Sequence, residues 1–296
     1  MSETGKPSIL VLGASGMLGS TIFRKFHAID NFRTFGTIRR PEGLKHFSEE
    51  QGQRIIAHVS FESEADILRA FAASRPDIVI NCVGIIKQLP NANDHLESLA
   101  INAVLPHRLA NYCKMVGARL IHFSTDCVFS GAKGQYVESD HADAYDLYGR
   151  TKYLGEVDYE NAITLRTSII GHELSSAHSL IDWFLTQSSE TKGFRKAIFS
   201  GLPTIEVAEV LRNFVIPNER LRGLYHLSVN PISKLDLLRM VASTYERTIN
   251  IVPDDKVVID RSLNSDRFRN ATGFAPKPWT QLVEDMHRDF RSNFQS

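Results

Sequence analysis

The sequence predicts an α/β fold: a doubly wound parallel sheet of Rossmann type, covered by helices on both faces, with a smaller C-terminal lobe. Three observations predict it. Short apolar, β-branched runs alternate with segments of helical period; the first run ends in a glycine-rich turn that opens a helix; and no internal repeat or low-complexity linker interrupts the order.

In chain order, "SILVLG" reads as a strand, followed by a helix whose Leu18, Ile22 and Phe26 recur at fourfold spacing. "RIIAHVS" is a strand before a helix carrying Ile67, Leu68, Phe71 and Ala72. "DIVINCVG" leads into a long helical segment with Leu105, Leu109, Cys113 and Val116. "ARLIHFS" and "AITLRTSII" are strands on either side of a segment around Tyr148. Past about residue 171 the alternation loosens into a helix around "LIDWFLTQ", a loop "GFRKAIFSGLPT", a helix "EVAEVLRNF", a strand "GLYHLSV", a helix "KLDLLRMVASTY" and a last helix from Trp279, after the turn marked by Pro276 and Pro278. The expected division is a main domain over 1–171 and a smaller lobe over 172–296, with about 221–245 packing back on the main domain.

The 296 residues carry 34 basic and 34 acidic side chains, and no long run of one sign, so a generic nucleic-acid or anionic-membrane surface is not expected. Cys82, Cys113 and Cys127 are scattered without CxxC spacing, and the histidines form neither HExxH nor HxxxH, so neither a disulfide framework nor a metal site is expected. The N-terminus has an early acidic residue and an apolar run of only Ile9 to Leu12. It reads as neither a signal peptide nor a membrane span, and the expectation is a cytoplasmic protein.

"VLGASGMLGS" spaces Gly13, Gly16 and Gly19 as GxxGxxG between a strand and a helix. A tight turn, close backbone approach to a pyrophosphate and a small residue where helix meets strand are what a dinucleotide needs there, and free amides at the helix N-terminus face the anion. Glycines that merely serve the turn are the plainer alternative. After the second strand, where an NAD site usually has Asp or Glu on the ribose 2′-hydroxyl, stands "FGTIRRPEG". Arg39 and Arg40 would pair with a 2′-phosphate, so NADP(H) is preferred over NAD(H).

In "LYGRTKYLGE" a helix would place Tyr148 and Lys152 on one face as neighbours. They could carry chemistry, or form the common pairing of a half-buried ring with a snorkelling lysine. "HFSTDCVF" supplies Ser124, Thr125 and Asp126 at the carboxyl end of the preceding strand, where doubly wound sheets bind ligands.

Taken together, GxxGxxG, "INCVG", "STDCVF", YxxxK and "LRTS" resemble the extended short-chain dehydrogenase/reductase superfamily. The later "GLYHLS" and "DRSLNSDRF" resemble its dTDP-4-dehydrorhamnose reductase family, over nearly the whole chain. The resemblance implies reduction of the C4 keto group of a nucleotide-linked 4-keto-6-deoxyhexose, in deoxysugar or polysaccharide precursor biosynthesis. Tyr148 would protonate the developing alkoxide, Lys152 would stabilise the phenolate and hold the nicotinamide ribose, Thr125 would orient the substrate oxygen, and Asp126 would stand beside the sugar. Poising a tyrosine near neutrality asks for about three pH units, roughly 4 kcal/mol.

By position, Gly13, Ser15, Gly16, Met17 and Leu18 match the pyrophosphate loop, His58 and Val59 the adenine neighbours, and Cys82, Val83 and Gly84 the strand end under the cofactor. His58 departs from the acidic residue usual there. Asn81 and Asn102 could touch ligand or serve as satisfied structural amides. Cys127 and Ile169 replace an aromatic after STD and a Trp after RTS, which changes pocket volume and stacking and leaves the substrate as dTDP-4-dehydrorhamnose or a UDP-linked 2-acetamido analogue. With no base evident beside it, Cys127 is not read as a nucleophile. The alternatives are an epimerase or dehydratase of the same superfamily, or a non-catalytic dinucleotide-binding regulatory subunit like the methionine adenosyltransferase β subunit. A homodimer is expected by analogy.

Overall fold

A computed structural model describes residues 5–88 and 93–293. The N-terminal acidic residue, Glu3, lies outside the described residues. Two compact units interleave along the chain, one made of 1–124, 146–165 and 220–224, the other of 125–145, 166–219 and 225–296.

The first unit opens with β1 (Ser8–Leu12), buried at every position, as an apolar strand covered on both faces must be. Helix α1 (Met17–His27) buries Leu18, Ile22 and Phe26 as the fourfold spacing predicts, and ends in Arg24, Lys25 and His27, which suit the negative end of the helix dipole. Strand β2 (Arg33–Thr37), a short α2 (Glu49–Gly52) and a two-residue β3 (Ile55–Ile56) follow. The run "RIIAHVS" thus yields only a short strand, which pairs with β2 alone. Helix α3 (Glu64–Ser74), capped by Ser63, buries Ile67, Ala70, Phe71 and Ser74; Leu68, expected on that face, is exposed because the true stripe steps by three and four.

After β4 (Ile78–Asn81) come α4 (His95–Ser98), a wide π turn over Leu99–Val104, and α5 (Leu105–Val116). Leu105, Leu109 and Cys113 are buried as predicted, whereas Val116 is exposed. The helix ends at Gly117, whose left-handed backbone turns the chain so that Ala118 enters the core instead. Strand β5 (Arg119–Thr125), helix α6 (Leu147–Leu154) and strand β6 (Ala162–Thr167) complete the run.

In the second unit, β7 (Ile169–Ile170), α7 (Leu180–Thr186), β8 (Glu190–Phe194), β9 (Ala197–Phe199), β10 (Leu202–Pro203) and α8 (Thr204–Val210) precede β11 (Gly223–His226). Then follow β12 (Ile232–Ser233), α9 (Lys234–Thr244), β13 (Asn250–Asp254), β14 (Ile259–Asp260), α10 (Asp266–Thr272) and α11 (Trp279–Asn293). The stretch expected as a loop, "GFRKAIFSGLPT", instead carries the end of β8 and all of β9 and β10. Their partners, β13, β12 with β14, and β7, are remote in sequence, so no local pattern reveals them.

Buried in this unit, His172 Nδ1 meets Asp182 at 2.5 Å and its Nε2 meets the Tyr245 hydroxyl at 2.9 Å. The Phe290 ring lies 4.1 Å from that of His172. This polar triad ties α7, the end of α9 and α11 together.

The main sheet has seven strands in the order β3-β2-β1-β4-β5-β6-β11, the doubly wound parallel arrangement the sequence predicts. Strand β1 pairs in parallel with both β2 and β4, so the order reverses direction between β1 and β4. Ligands of such sheets bind outside the carboxyl ends of the strands at that switch point. Below it, Leu10, Leu12, Val79 and Leu120 from the strands pack with Ile67, Phe71, Leu105, Leu109 and Cys113 from the helices. Among the described residues no helix is long and apolar enough to cross a membrane.

Candidate active site

The glycine turn lies at the switch point. Gly13 has φ +79°, its amide donates to Thr37 Oγ1 at 3.1 Å, and a Cβ on it would stand 3.1 Å from Val83 Cγ2. Gly16 donates to the Gly13 carbonyl at 3.0 Å and caps α1 without a side-chain hydrogen bond, so no side chain competes for the first amides of the helix. At Gly19 a Cβ would fall 2.2 Å from the Gly13 oxygen, which makes glycine obligatory where helix meets turn. Ser15 and Gly16 are exposed, Met17 is half-buried, and the Leu18 side chain faces the core. These residues fit a bound dinucleotide pyrophosphate.

Arg39 and Arg40 follow β2 and are exposed. His58 is exposed with φ +55°, and its carbonyl accepts from Arg69; Val59 is fully buried, and its amide donates to Ile38. Beyond β4, Cys82, Val83 and Gly84 are half-buried beside the glycine turn.

The two asparagines are satisfied within the fold. Asn81 Oδ1 accepts the Val83 amide and its Nδ2 faces His122 Nδ1, each at 3.1 Å. Asn102 clamps Ile85, accepting its amide and donating to its carbonyl, both at 2.9 Å. This pattern puts the His122 proton on Nε2, which finds no hydrogen-bond partner among the described residues. Burial holds the imidazole well below its ordinary pKa, so it is neutral.

Helix α6 presents Tyr148 and Lys152 on one face. Its cap, Asp146, accepts the Gly149 amide and also pairs with Lys87 at 2.8 Å, and the Lys87 ammonium lies 5.6 Å from the centre of the Tyr148 ring. Lys152 does not snorkel: it is 6% exposed, and its Nζ donates to the Phe123 carbonyl at 2.7 Å. Burial pushes its pKa down to about 8, against the opposing pull of Glu156. Gly155 lets the end of the helix sit against the π turn, since a Cβ there would lie 1.9 Å from the Asn102 carbonyl oxygen.

Thr125, Asp126, Cys127 and Ile169 belong to the second unit. Thr125 Oγ1 donates to Asp126 and accepts the Cys127 amide, starting a 3₁₀ turn over Asp126–Val128. Asp126 is 8% exposed, and burial raises its pKa, with the nearby Arg261 charge opposing. Arg261 donates from Nε to the Phe129 carbonyl at 2.8 Å and brings Nη1 to 3.8 Å from Cys127 Sγ. Ile169 is half-buried and pairs with Leu202 of β10.

A family model described as the RmlD substrate binding domain matches residues 7–292. The chain belongs to the RmlD substrate binding domain family. Its dTDP-4-dehydrorhamnose reductase relative from Streptomyces griseus is 30% identical over 161 residues, 53% of this chain and 46% of that protein, so the chain spans about half of that relative's length. Methionine adenosyltransferase 2 subunit beta of Mus musculus is 27% identical over 268 residues, 82% of this chain and 74% of that one. The crystal structure of dTDP-4-dehydrorhamnose reductase from Bacillus anthracis in complex with NADP superposes with a TM-score of 0.77 at 19% identity, covering 96% of this chain and 98% of the other. The RmlD-family fold thus extends over nearly the whole chain.

Lys87, His122, Glu156 and Arg261 went unnoticed in the sequence. Glu156 stands four residues after Lys152; Lys87 comes to Tyr148 in the first unit, and Arg261 to Cys127 in the second, only through tertiary folding. In this RmlD-family chain the first unit holds a buried lysine, Lys152, one helical turn from Tyr148.

Proposed function

We propose that the protein reduces the C4 keto group of a nucleotide-linked 4-keto-6-deoxyhexose, dTDP-4-dehydrorhamnose or a UDP-linked 2-acetamido analogue, with NADPH in the cytoplasm. The observation that carries this reading is Lys152, buried at the carboxyl end of β5 and one helical turn from Tyr148, in the unit that also holds the glycine turn. A bound nicotinamide dinucleotide supplies the hydride. Tyr148 donates its hydroxyl proton to the oxygen at C4, while the Lys152 ammonium favours the resulting phenolate and holds the ribose. Thr125 orients the substrate oxygen, and Asp126 and Ile169 line the sugar. Arg39 and Arg40 receive a 2′-phosphate, with Gly13, Ser15, Gly16, Met17 and Leu18 at the pyrophosphate, His58 and Val59 at the adenine, and Cys82, Val83 and Gly84 beneath the nicotinamide.

The test is NADPH oxidation by the purified protein, with dTDP- and UDP-linked 4-keto-6-deoxy sugars made in situ. Tyr148→Phe is expected to remove nearly all turnover while leaving NADPH binding intact; undiminished turnover in that variant would take Tyr148 out of the mechanism. Sugar conversion without net NADPH oxidation would point to an epimerase or dehydratase. A regulatory-subunit reading is favoured by the 82% of this chain that aligns with the methionine adenosyltransferase subunit. It predicts dinucleotide binding without turnover on any keto sugar and association with a synthetase.

A further inference from the structure

We propose that Glu156, held by Ser124, is the counter-ion of Lys152: a positioning residue whose carboxylate keeps the buried ammonium charged and aimed at the tyrosine. The inference deepens the reductase reading and rests on it for its consequence in catalysis.

Two consecutive residues at the end of β5 hold the two partners. The Phe123 carbonyl accepts from Lys152 Nζ at 2.7 Å, and Ser124 Oγ donates to Glu156 Oε1 at 2.6 Å. Ser124 is 5% exposed, so its hydroxyl fixes the carboxylate from a buried position. Helix α6 stops at Leu154, and Gly155 makes the close approach to Asn102 that brings the chain back toward the strand, so Glu156 follows at the fourth residue after Lys152.

Among the described residues, the consecutive anchors Phe123 and Ser124 bring the Glu156 carboxylate into the neighbourhood of the Lys152 ammonium. Cys82, just past β4, and Glu156 act on the charge of Lys152, Lys152 in turn acts on His122 of β5, and Tyr148 stands one turn before it on α6. Burial drives the Cys82 thiol far up, so it stays protonated, and holds His122 neutral. Tyr148 contributes a phenol. Lys87 and Asp146 form a pair of opposite charges at the start of the helix. Glu156 is therefore the anion that offsets the burial of the ammonium, and it heads the influences that raise the Lys152 pKa. An ammonium that lost its proton in the neutral range would neither hold a ribose hydroxyl as a cation nor favour a phenolate.

The experiment follows the proton on Lys152 without using activity. Unfolding free energy of the dinucleotide-free protein is measured by urea titration from about pH 6.5 to about pH 10.5. Taken as the difference from the same protein carrying Lys152→Met, so that the opposing titration of the buried Cys82 and Cys113 thiols cancels, the stability contributed by Lys152 should begin to rise where folded Lys152 releases its proton. In wild type this onset is expected near pH 8, and in Glu156→Gln it should fall by about one pH unit. Glu156→Asp, which keeps the charge, should hold the onset near the wild-type value, and Ser124→Ala should move it down by less than Glu156→Gln. An onset unmoved in Glu156→Gln, whatever that variant's melting temperature, would overturn the proposal; should Glu156→Gln fail to fold, an unmoved Ser124→Ala onset does so. The alkaline limb of kcat/KM should move with the onset. A shifted onset in a protein that oxidises no NADPH would sustain the counter-ion role and refute the reductase reading.

Discussion

Replacing Lys152 by Met should stabilise the folded protein while ending turnover. Burial lowers the Lys152 pKa from 10.5 to about 8. At about 1.4 kcal/mol per pH unit, keeping the ammonium in the folded state at neutral pH costs about 3 kcal/mol. Lysine ordinarily gives up its proton near 10.4 in the unfolded chain, so between about pH 8 and about pH 10.5 the unfolded state keeps the Lys152 proton that the folded state has lost, and the Lys152 contribution to stability rises with pH. Below pH 8 both states are protonated and the full cost is present. Met has a similar length and no charge, but it leaves the Phe123 carbonyl without its 2.7 Å donor, a loss of about 1 kcal/mol. The net expectation is about 2 kcal/mol of added stability at pH 7, shrinking as the pH approaches 10.5. Urea unfolding of both proteins at about pH 7 and about pH 9.5, without dinucleotide, measures it. A Met variant less stable than wild type at pH 7, or a difference that does not change with pH, would refute the reasoning.

Three further outcomes test other parts of the molecule. Gly19→Ala forces a Cβ against the Gly13 carbonyl, with backbone on both sides, and should cost about 2–3 kcal/mol and lower the thermal midpoint by about 5–10 °C; an unchanged midpoint would contradict that close approach. Tyr245→Phe leaves the buried His172 Nε2 without its hydroxyl partner and should cost about 1–2 kcal/mol in urea unfolding, a loss that vanishes if the triad does not bind the second unit together. The double variant Arg39→Ala, Arg40→Ala should lower kcat/KM for NADPH about tenfold or more and leave NADH nearly untouched, whereas equal losses would end the 2′-phosphate argument.

The doubly wound sheet was legible because short apolar runs, as in β1 and β4, alternate with segments of helical period. The glycine turn was legible because strand, glycines and helix follow one another without interruption. The short strands β8, β9 and β10 were not, since each gains its partner from a segment far along the chain. The same holds for the site. Tyr148 and Lys152 announce themselves by spacing, but whether lysine snorkels or is buried depends on the Phe123 carbonyl and on the packing around α6. The state of His122 could not be read from "ARLIHFS", because it follows from an asparagine 41 residues away. The two-lobe expectation drew its boundary from the weaker periodicity past residue 171 and had about 221–245 packing back on the main domain; the first unit takes in 220–224.

That return bears on how the chain is made. A ribosome delivers residues 1–124 and 146–165 early, yet the first unit is complete only when 220–224 emerges, and by then much of the second unit has also been synthesised. The edge of β6 that β11 will cover is left open during that interval. An uncovered strand edge is a place where nascent chains join one another. Slower translation between Leu165 and Leu224 is expected to lengthen the exposure of that edge.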